Sequence, residues 1–285
     1  MQIVKISEVK KEAQRLLVKA SFNLPHDIIG AIKKFRREET SATAKKILDC
    51  ILENEKIARQ QKLPLCQDCG SVYIDLSIGD NICIEDSGNL KNYLNQAVAE
   101  VYEKYSLRKS IVSDPLFDRK NTFNNTPAII DVCFTSSRGI YIEVNLKGGG
   151  SENCSYLFTL NPSAREEEII ERVTDVVKEN VTKCCPPAIV GIGIGSVTSE
   201  VTKLARKAAF RNLNIRNSDI RYSRLEEKIL RDINSSGIGP QGLGGKTTAL
   251  ACNIEYAPCH MATLPLAVFL GCHSIRRADS YIFSS

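Results

Sequence analysis

The sequence predicts an α+β protein, mixed helix and β-sheet in a single domain with a helical segment at its N-terminus. Three observations predict this. Apolar residues recur at three- and four-residue spacing through about the first 60 positions. From Val72 onward, short β-branched runs alternate with helical stretches. No repeat, low-complexity tract or shift in composition divides the 285 residues.

Taken in order, Val9, Ala13, Leu16, Leu17 and Ala20 give a first amphipathic helix. Ile28, Ile29, Ile32 and Phe35 give a second after Pro25, and Ala44, Ile47, Leu48, Ile51 and Leu52 a third. Their apolar faces need a shared partner, so these helices, about residues 1–60, are expected to pack on the remainder. QKLPLCQDCG breaks the pattern at Pro64 and Gly70, ahead of a strand over Val72 to Leu76. A helix from about Leu90 to Tyr105 follows, then a polar stretch from Ser113 to Pro127, the one long candidate loop. Strands are expected at Ala128 to Phe134 and Ile140 to Leu146, and GGGSEN is followed by Cys154-Ser155-Tyr156-Leu157-Phe158. A helix from Ala164 to Thr182 leads through Cys184-Cys185-Pro186-Pro187 into a buried strand, Ala188 to Gly195, and a helix over Thr198 to Arg211. The last section holds a helix from Leu225 to Asn234, the glycine-rich GIGPQGLGGKTTAL, and two strands flanking EYAPCHMATLP.

Composition narrows the function classes. No stretch reaches the ~18 consecutive apolar residues of a membrane span, and charges interrupt the N-terminus where a secretory signal would be apolar. The protein is therefore expected in the cytoplasm. A net charge of +5 is small for this length. The densest basic run, KKFRRE, is followed at once by Glu39, a pattern that fits a solvated helix face. Nucleic-acid binding would need a basic stripe with stacking aromatics, and aromatics are sparse. GIGIG lacks the G-x-G-x-x-G spacing of a dinucleotide loop.

Eleven cysteines in a reducing compartment call for metal binding or burial and not for disulfides. Cys50, Cys83, Cys133 and Cys252 stand in apolar or helical contexts and are expected in the core. Cys66, Cys185 and Cys272 each sit in a turn marked by Pro or Gly. Three thiolates without a fourth suit an iron-sulfur cluster with one iron open for chemistry. Cys66 and Cys69 also form a lone CxxC, which leaves open a non-catalytic zinc-stabilised module or a redox dithiol. Three consecutive glycines at 148–150 point to a backbone shape or a close approach, with a flexible linker as the alternative.

CQDCG at 66–70, KGGGSEN at 147–153, CCPP with GIGIG at 184–195, GIGPQGLGGKTTAL at 237–250, and PCHMATLP with GCHSIRRA through 278 occur in consecutive order. Together they resemble the alpha subunit of the class I fumarate hydratases and the related tartrate dehydratases. The resemblance runs over most of the chain. It implies a hydro-lyase that interconverts fumarate and (S)-malate, with tartrate dehydration to oxaloacetate as the close competitor. It further implies a [4Fe-4S] cluster on Cys66, Cys185 and Cys272, whose fourth iron takes the dicarboxylate substrate. Asp68 and Arg108 would take catalytic roles, and Gln67, Lys147, Gly149, Gly150, Asn153 and His260 would line the substrate site with them. By their own context, Arg108 reads as a helix-end charge and His260 equally as a buried, satisfied histidine. A separate beta subunit is implied as the source of a threonine general base, in a hetero-oligomer such as a dimer of alpha-beta pairs. The chain departs from the family pattern at Cys69, where threonine is usual, at Cys184, and at Ser196, where glycine is common. The Gln-Asp after Cys66 and the Pro-Pro after Cys185 fix the register of the first two ligands.

Overall fold

A computed structural model describes residues 2–283. In chain order the elements are β1 (Gln2–Val4), α1 (Ile6–Phe22), α2 (His26–Glu38), α3 (Ala42–Gln61), β2 (Ser71–Gly79), β3 (Ile82–Ile84) and α4 (Leu90–Lys104). Next come β4 (Ile129–Thr135), β5 (Ile140–Lys147), the single turn α5 (Gly149–Glu152), β6 (Ser155–Leu160) and α6 (Glu166–Asn180). The chain continues through β7 (Ala188–Gly195), α7 (Thr198–Phe210), α8 (Ile220–Asn234), β8 (Ala249–Ala257), β9 (Leu264–Gly271) and β10 (Arg276–Ile282). The α+β class expected from the sequence holds.

The chain divides into two compact units, neither of them contiguous. The first comprises residues up to Pro25, Glu55–Gly149 and everything from Arg276 on. The second comprises His26–Asn54 and Gly150–Ile275. Segments of the two alternate along the sequence, so no composition shift marks a boundary.

In the first unit, β10-β5-β2-β4 form a sheet in which β5 runs antiparallel to both neighbours and β4 parallel to β2. Alternate residues of β2 and β5 (Val72, Ile74, Leu76; Ile142, Val144, Leu146) are buried with Leu16 and Leu17 of α1 and Leu94 and Val98 of α4. This is the period-two pattern of a sheet with one apolar face. β1 and β3 pair separately.

In the second unit, β6-β9-β7-β8 form a sheet with β7 parallel to β8 and antiparallel to β9. All eight residues of β7 are buried, which gives its continuous apolar sequence. Val190, Ile192 and Ile194 face a core that includes Val173 and Val177 of α6 and Ile229 and Ile233 of α8. Gly191 and Gly193 face α7: a Cβ on Gly191 would come within 2.2 Å of the Ala205 carbonyl oxygen, and one on Gly193 within 2.1 Å of that of Val201. GIGIG is thus a contact between a helix backbone and a strand.

The cysteines depart in part from expectation. Cys252 is buried, but Cys50, Cys83 and Cys133 are exposed. Cys83 is the outward residue of a three-residue strand with both neighbours buried, and Cys133 lies on β4, an edge strand that turns one face outward. An apolar local context does not decide which face each residue takes.

Replacing Gly193 by Ala should cost about 1–3 kcal/mol through overpacking, read as a fall in melting temperature of several degrees. Gly30, exposed inside α2 with nothing within 4 Å of the place an alanine methyl would occupy, should behave oppositely. Gly30→Ala should gain roughly 0.4–1 kcal/mol by restricting the unfolded chain.

Candidate active site

The loop carrying Cys66, Gln67 and Asp68 ends where β2 begins, at the same end of the first unit's sheet as the close of β5 at Lys147 and the start of β10 at Arg276. Gly70 takes φ +81° and leaves the ladder geometry, so the loop's own bonds do not meet the carbonyls of Cys69 and Gly70. A Cβ there would sit 2.5 Å from the Lys147 carbonyl oxygen. Side chains from elsewhere hold it instead. The buried Tyr102 hydroxyl, from α4, lies 3.0 Å from the Cys69 carbonyl and 3.1 Å from that of Gly70. The Asn125 amide donates to the Gly70 carbonyl at 3.1 Å while its oxygen accepts from the Ser110 N–H at 2.8 Å. Asn125 lies in the long polar loop, whose role in the site is therefore to brace Gly70.

Asp68 accepts from the backbone N–H of Gly70 at 2.9 Å and of Gly149 at 2.6 Å. One carboxylate so ties the cysteine loop to the glycine turn. A Cβ on Gly148 would lie 3.0 Å from the same Asp68 oxygen, which accounts for a glycine at that position. Lys147 is buried, whereas Gly149, Gly150 and Asn153 are exposed. The Arg108 backbone N–H donates to the Cys69 sulfur at 3.2 Å, and the Arg108 side chain is exposed.

In the second unit, Cys185 follows α6 and a short 3-10 turn, and Cys272 follows β9. Ile189 pairs with Gly271, so the sheet register itself brings the start of β7 and the end of β9 together. The Cys185 carbonyl lies 2.9 Å from His273 Nδ1 and accepts from the His273 N–H at 3.4 Å. Burial lowers the His273 pKa, opposed by that bond to Cys185.

Burial sorts the neighbouring thiols. Cys185 is exposed and Cys66 and Cys272 are half-buried, whereas Cys69, Cys184 and Cys154 are buried. The Cys184 thiol is pushed well above its ordinary pKa by its hydrogen bond with Cys154 and by burial. Cys69 is raised by burial, against the Arg108 N–H and the Arg276 charge. Raised thiol pKa values keep these groups protonated at neutral pH, and a protonated thiol is a poor metal ligand. Among the described residues no three His, Cys, Asp or Glu side chains form a group that could hold a metal ion. Cys185 and Cys272 belong to one unit and Cys66 to the other.

His260 does not join the other candidates of its unit. Gly195 pairs with Ala257 at the far end of β7, so His260 lies about 20 Å of strand from the end that carries Cys185 and Cys272. Its Nδ1 accepts from the Ala262 N–H at 3.1 Å within a tight turn, and the residue is exposed. Sequence reasoning misses Tyr102, Asn125, Gln241 and His273 as residues that hydrogen-bond the cysteine-bearing loops. Only their places inside or beside the motifs could flag the last two.

Each unit thus carries soft thiols on loops at strand ends, and in the first unit a carboxylate clamps the cysteine loop to the glycine turn. The chain belongs to the family described as fumarate hydratase (Fumerase), which it matches over residues 10–280. It is 38% identical over 279 residues to the putative L(+)-tartrate dehydratase subunit alpha of Methanocaldococcus jannaschii, covering 96% of each chain. It is 31% identical over 261 residues to the L(+)-tartrate dehydratase subunit alpha of Escherichia coli K12, covering 90% of this chain and 85% of the relative. The protein is a hydro-lyase. No helix among the described residues is long and apolar enough to cross a membrane.

Iodoacetamide at neutral pH, with sites mapped by mass spectrometry on the native chain, should modify Cys185 early and Cys69, Cys154 and Cys184 only on unfolding. Early modification of Cys184 would contradict the sorting.

Proposed function

We propose that this chain is the cluster-bearing alpha subunit of a two-subunit iron-sulfur hydro-lyase acting on a four-carbon hydroxydicarboxylate, with L(+)-tartrate dehydrated to oxaloacetate as the first reading. The observation that carries it is the pair of relatives named as L(+)-tartrate dehydratase alpha subunits, aligned over 96% and 90% of the chain. Fumarate hydration to (S)-malate is the second reading, favoured by the family description. Both reactions make or break one C–O bond next to a carboxylate and move one proton on the adjacent carbon.

Cys66, Cys185 and Cys272 would hold a [4Fe-4S] cluster. The donor set fits: three soft sulfurs that are exposed or half-buried, with the competing thiols sealed and protonated. When bound, the cluster supplies a Lewis-acidic iron that polarises the substrate hydroxyl. Arg108 offers a planar fork for a substrate carboxylate, and the Gln67 amide offers a neutral donor. Asp68 holds the glycine turn in place through the Gly149 N–H, with Lys147 and Asn153 flanking the turn in sequence. His260 is left out on grounds of position. The general base comes from a beta subunit, paired with this chain in a hetero-oligomer such as a dimer of alpha-beta pairs. A cytoplasmic location suits a chain whose eleven cysteines are all free thiols.

The test is anaerobic co-purification with the beta subunit, metal and sulfide analysis, and assay on both tartrate enantiomers, fumarate and (S)-malate. Iron and sulfide in cluster ratio with the highest kcat/KM on L(+)-tartrate is the expected result. A preference for fumarate would reverse the two readings, and stoichiometric zinc without turnover would overturn both. Arg108→Gln should raise KM roughly 10- to 100-fold, the worth of a charge-assisted hydrogen bond, with iron content unchanged.

A further inference from the structure

The motif GIGPQGLGGKTTAL is given no part in that chemistry, yet the backbone N–H and the side-chain amide of its Gln241 both reach the Pro186 carbonyl. We propose that Gln241 is a positioning residue which, through Pro186 and alongside His273, fixes the Cys185 loop against the Cys272 loop. The inference rests on the reading that these thiols ligate a cluster.

Beyond Cys185 the segment has no backbone donor until Ala188. Two prolines follow the cysteine, and proline has no N–H, so the carbonyls around Cys185 must be met from outside. Cys185 itself takes φ +56°, a left-handed conformation that a non-glycine residue keeps only when its surroundings impose it. Two groups supply the constraint. The Pro186 carbonyl accepts from the Gln241 backbone N–H at 2.9 Å and from its side-chain amide at 2.8 Å. The Cys185 carbonyl lies 2.9 Å from His273 Nδ1. A carbonyl only accepts, so Nδ1 carries the ring proton that meets it. The 3.2 Å approach of the Gln241 amide nitrogen to Nδ1 is then a packing contact, and the amide's hydrogen bond goes to Pro186. His273 directly follows Cys272, so the two candidate ligand loops share this junction.

Gln241 also takes φ +55°, and the rest of the motif imposes it. The Gly239 N–H donates to the Thr248 hydroxyl at 3.0 Å, and the Gly244 N–H to the Ile238 carbonyl at 2.9 Å. The buried Glu39 carboxylate accepts from the N–H groups of Lys246 and Thr247 at 2.8 and 3.1 Å and from the Thr247 hydroxyl at 3.1 Å. These bonds close both flanks of the loop and leave the Gln241 side chain directed at Pro186.

Gln241→Gly keeps the left-handed backbone and its N–H while deleting the amide. Gln241→Glu keeps the shape and puts an acceptor against a carbonyl. His273→Asn retains a donor near the Nδ1 position, and His273→Leu does not. The experiment loads the alpha-beta complex of each variant anaerobically, then follows cluster loss to a chelator and the electron paramagnetic resonance spectrum of the reduced cluster. Melting of the apo-complex controls for folding. Gln241→Gly should lose the cluster roughly 3- to 10-fold faster than wild type, the factor for one neutral hydrogen bond, with an altered spectrum. Gln241→Glu and His273→Leu should be at least as labile, and His273→Asn should return toward wild type. A wild-type complex that takes up no iron and sulfide would defeat the functional reading itself. A wild type that loads, with Gln241→Gly and Gln241→Glu equal to it in cluster lifetime and spectrum, would overturn the role of Gln241 alone.

Discussion

A peptide segment that contains consecutive prolines cannot tie itself down, and the placement of the Cys185 thiol depends on that constraint. With no N–H at 186 or 187, the two prolines can accept hydrogen bonds but not return them. The strand that follows regains a ladder partner only at Ala188, whose N–H donates to the Thr248 carbonyl. Until then the chain takes its shape from a glutamine on one loop and an imidazole on another. A sheet register that sets Ile189 beside Gly271 brings those loops within reach. The fold decides which loops meet, and a handful of hydrogen bonds decides how.

The first unit meets the same difficulty by the same means. Gly70 has left the extended conformation, and its carbonyl and that of Cys69 are met by a phenol from α4 and an amide from the long polar loop. The acid of the CQDCG motif serves first as an acceptor for two backbone N–H groups. Each such bond contributes only about 1 kcal/mol net, but leaving its buried partner unmet would cost more. That asymmetry is what makes a loop of this kind definite. It also separates the thiols, since sulfurs turned into the packed side lose water and keep their protons, while those on the open side of the same turns keep access to a metal.

The layers of the fold are legible in the sequence wherever one periodicity runs undisturbed. The helices α1, α2 and α3, the strand β2 and the all-apolar β7 stand where the pattern puts them. β10 is hidden, because Arg276, Arg277 and Asp279 obscure its alternation although Ala278 and Arg276 are buried. The exposure of Cys50, Cys83 and Cys133 is hidden for a related reason, since local apolarity says nothing about which face an edge strand or a helix turns outward. Division into two units is not legible, because contacts between segments far apart in sequence create it. For the site, the motifs give the loops but not their supports. Tyr102 reads as one more apolar helical position and Asn125 as one polar residue in a polar stretch, and only the three-dimensional contact distinguishes them. Motif order along the chain carries no information about which end of a sheet a loop occupies, so the separation of His260 from the Cys185 and Cys272 end of its own sheet is not legible either.

The glycine motifs make the same point from the opposite side. GIGIG allows a helix backbone to lie on a strand, Gly70 and Gly148 allow a carbonyl and a carboxylate to approach, and the glycines around Gln241 allow a turn that aims one amide. One composition therefore serves packing, close approach and turn geometry, and none of the three is the phosphate cradle that glycine-rich sequence most readily suggests. Few of the motif residues touch chemistry directly. Most fix the backbone on which a small number of sulfurs and one arginine are displayed, and such preorganisation removes from binding the entropy of ordering the loops. On the proposed reading, thiols held this way would meet an incoming metal group in loops already shaped by hydrogen bonds of the protein alone.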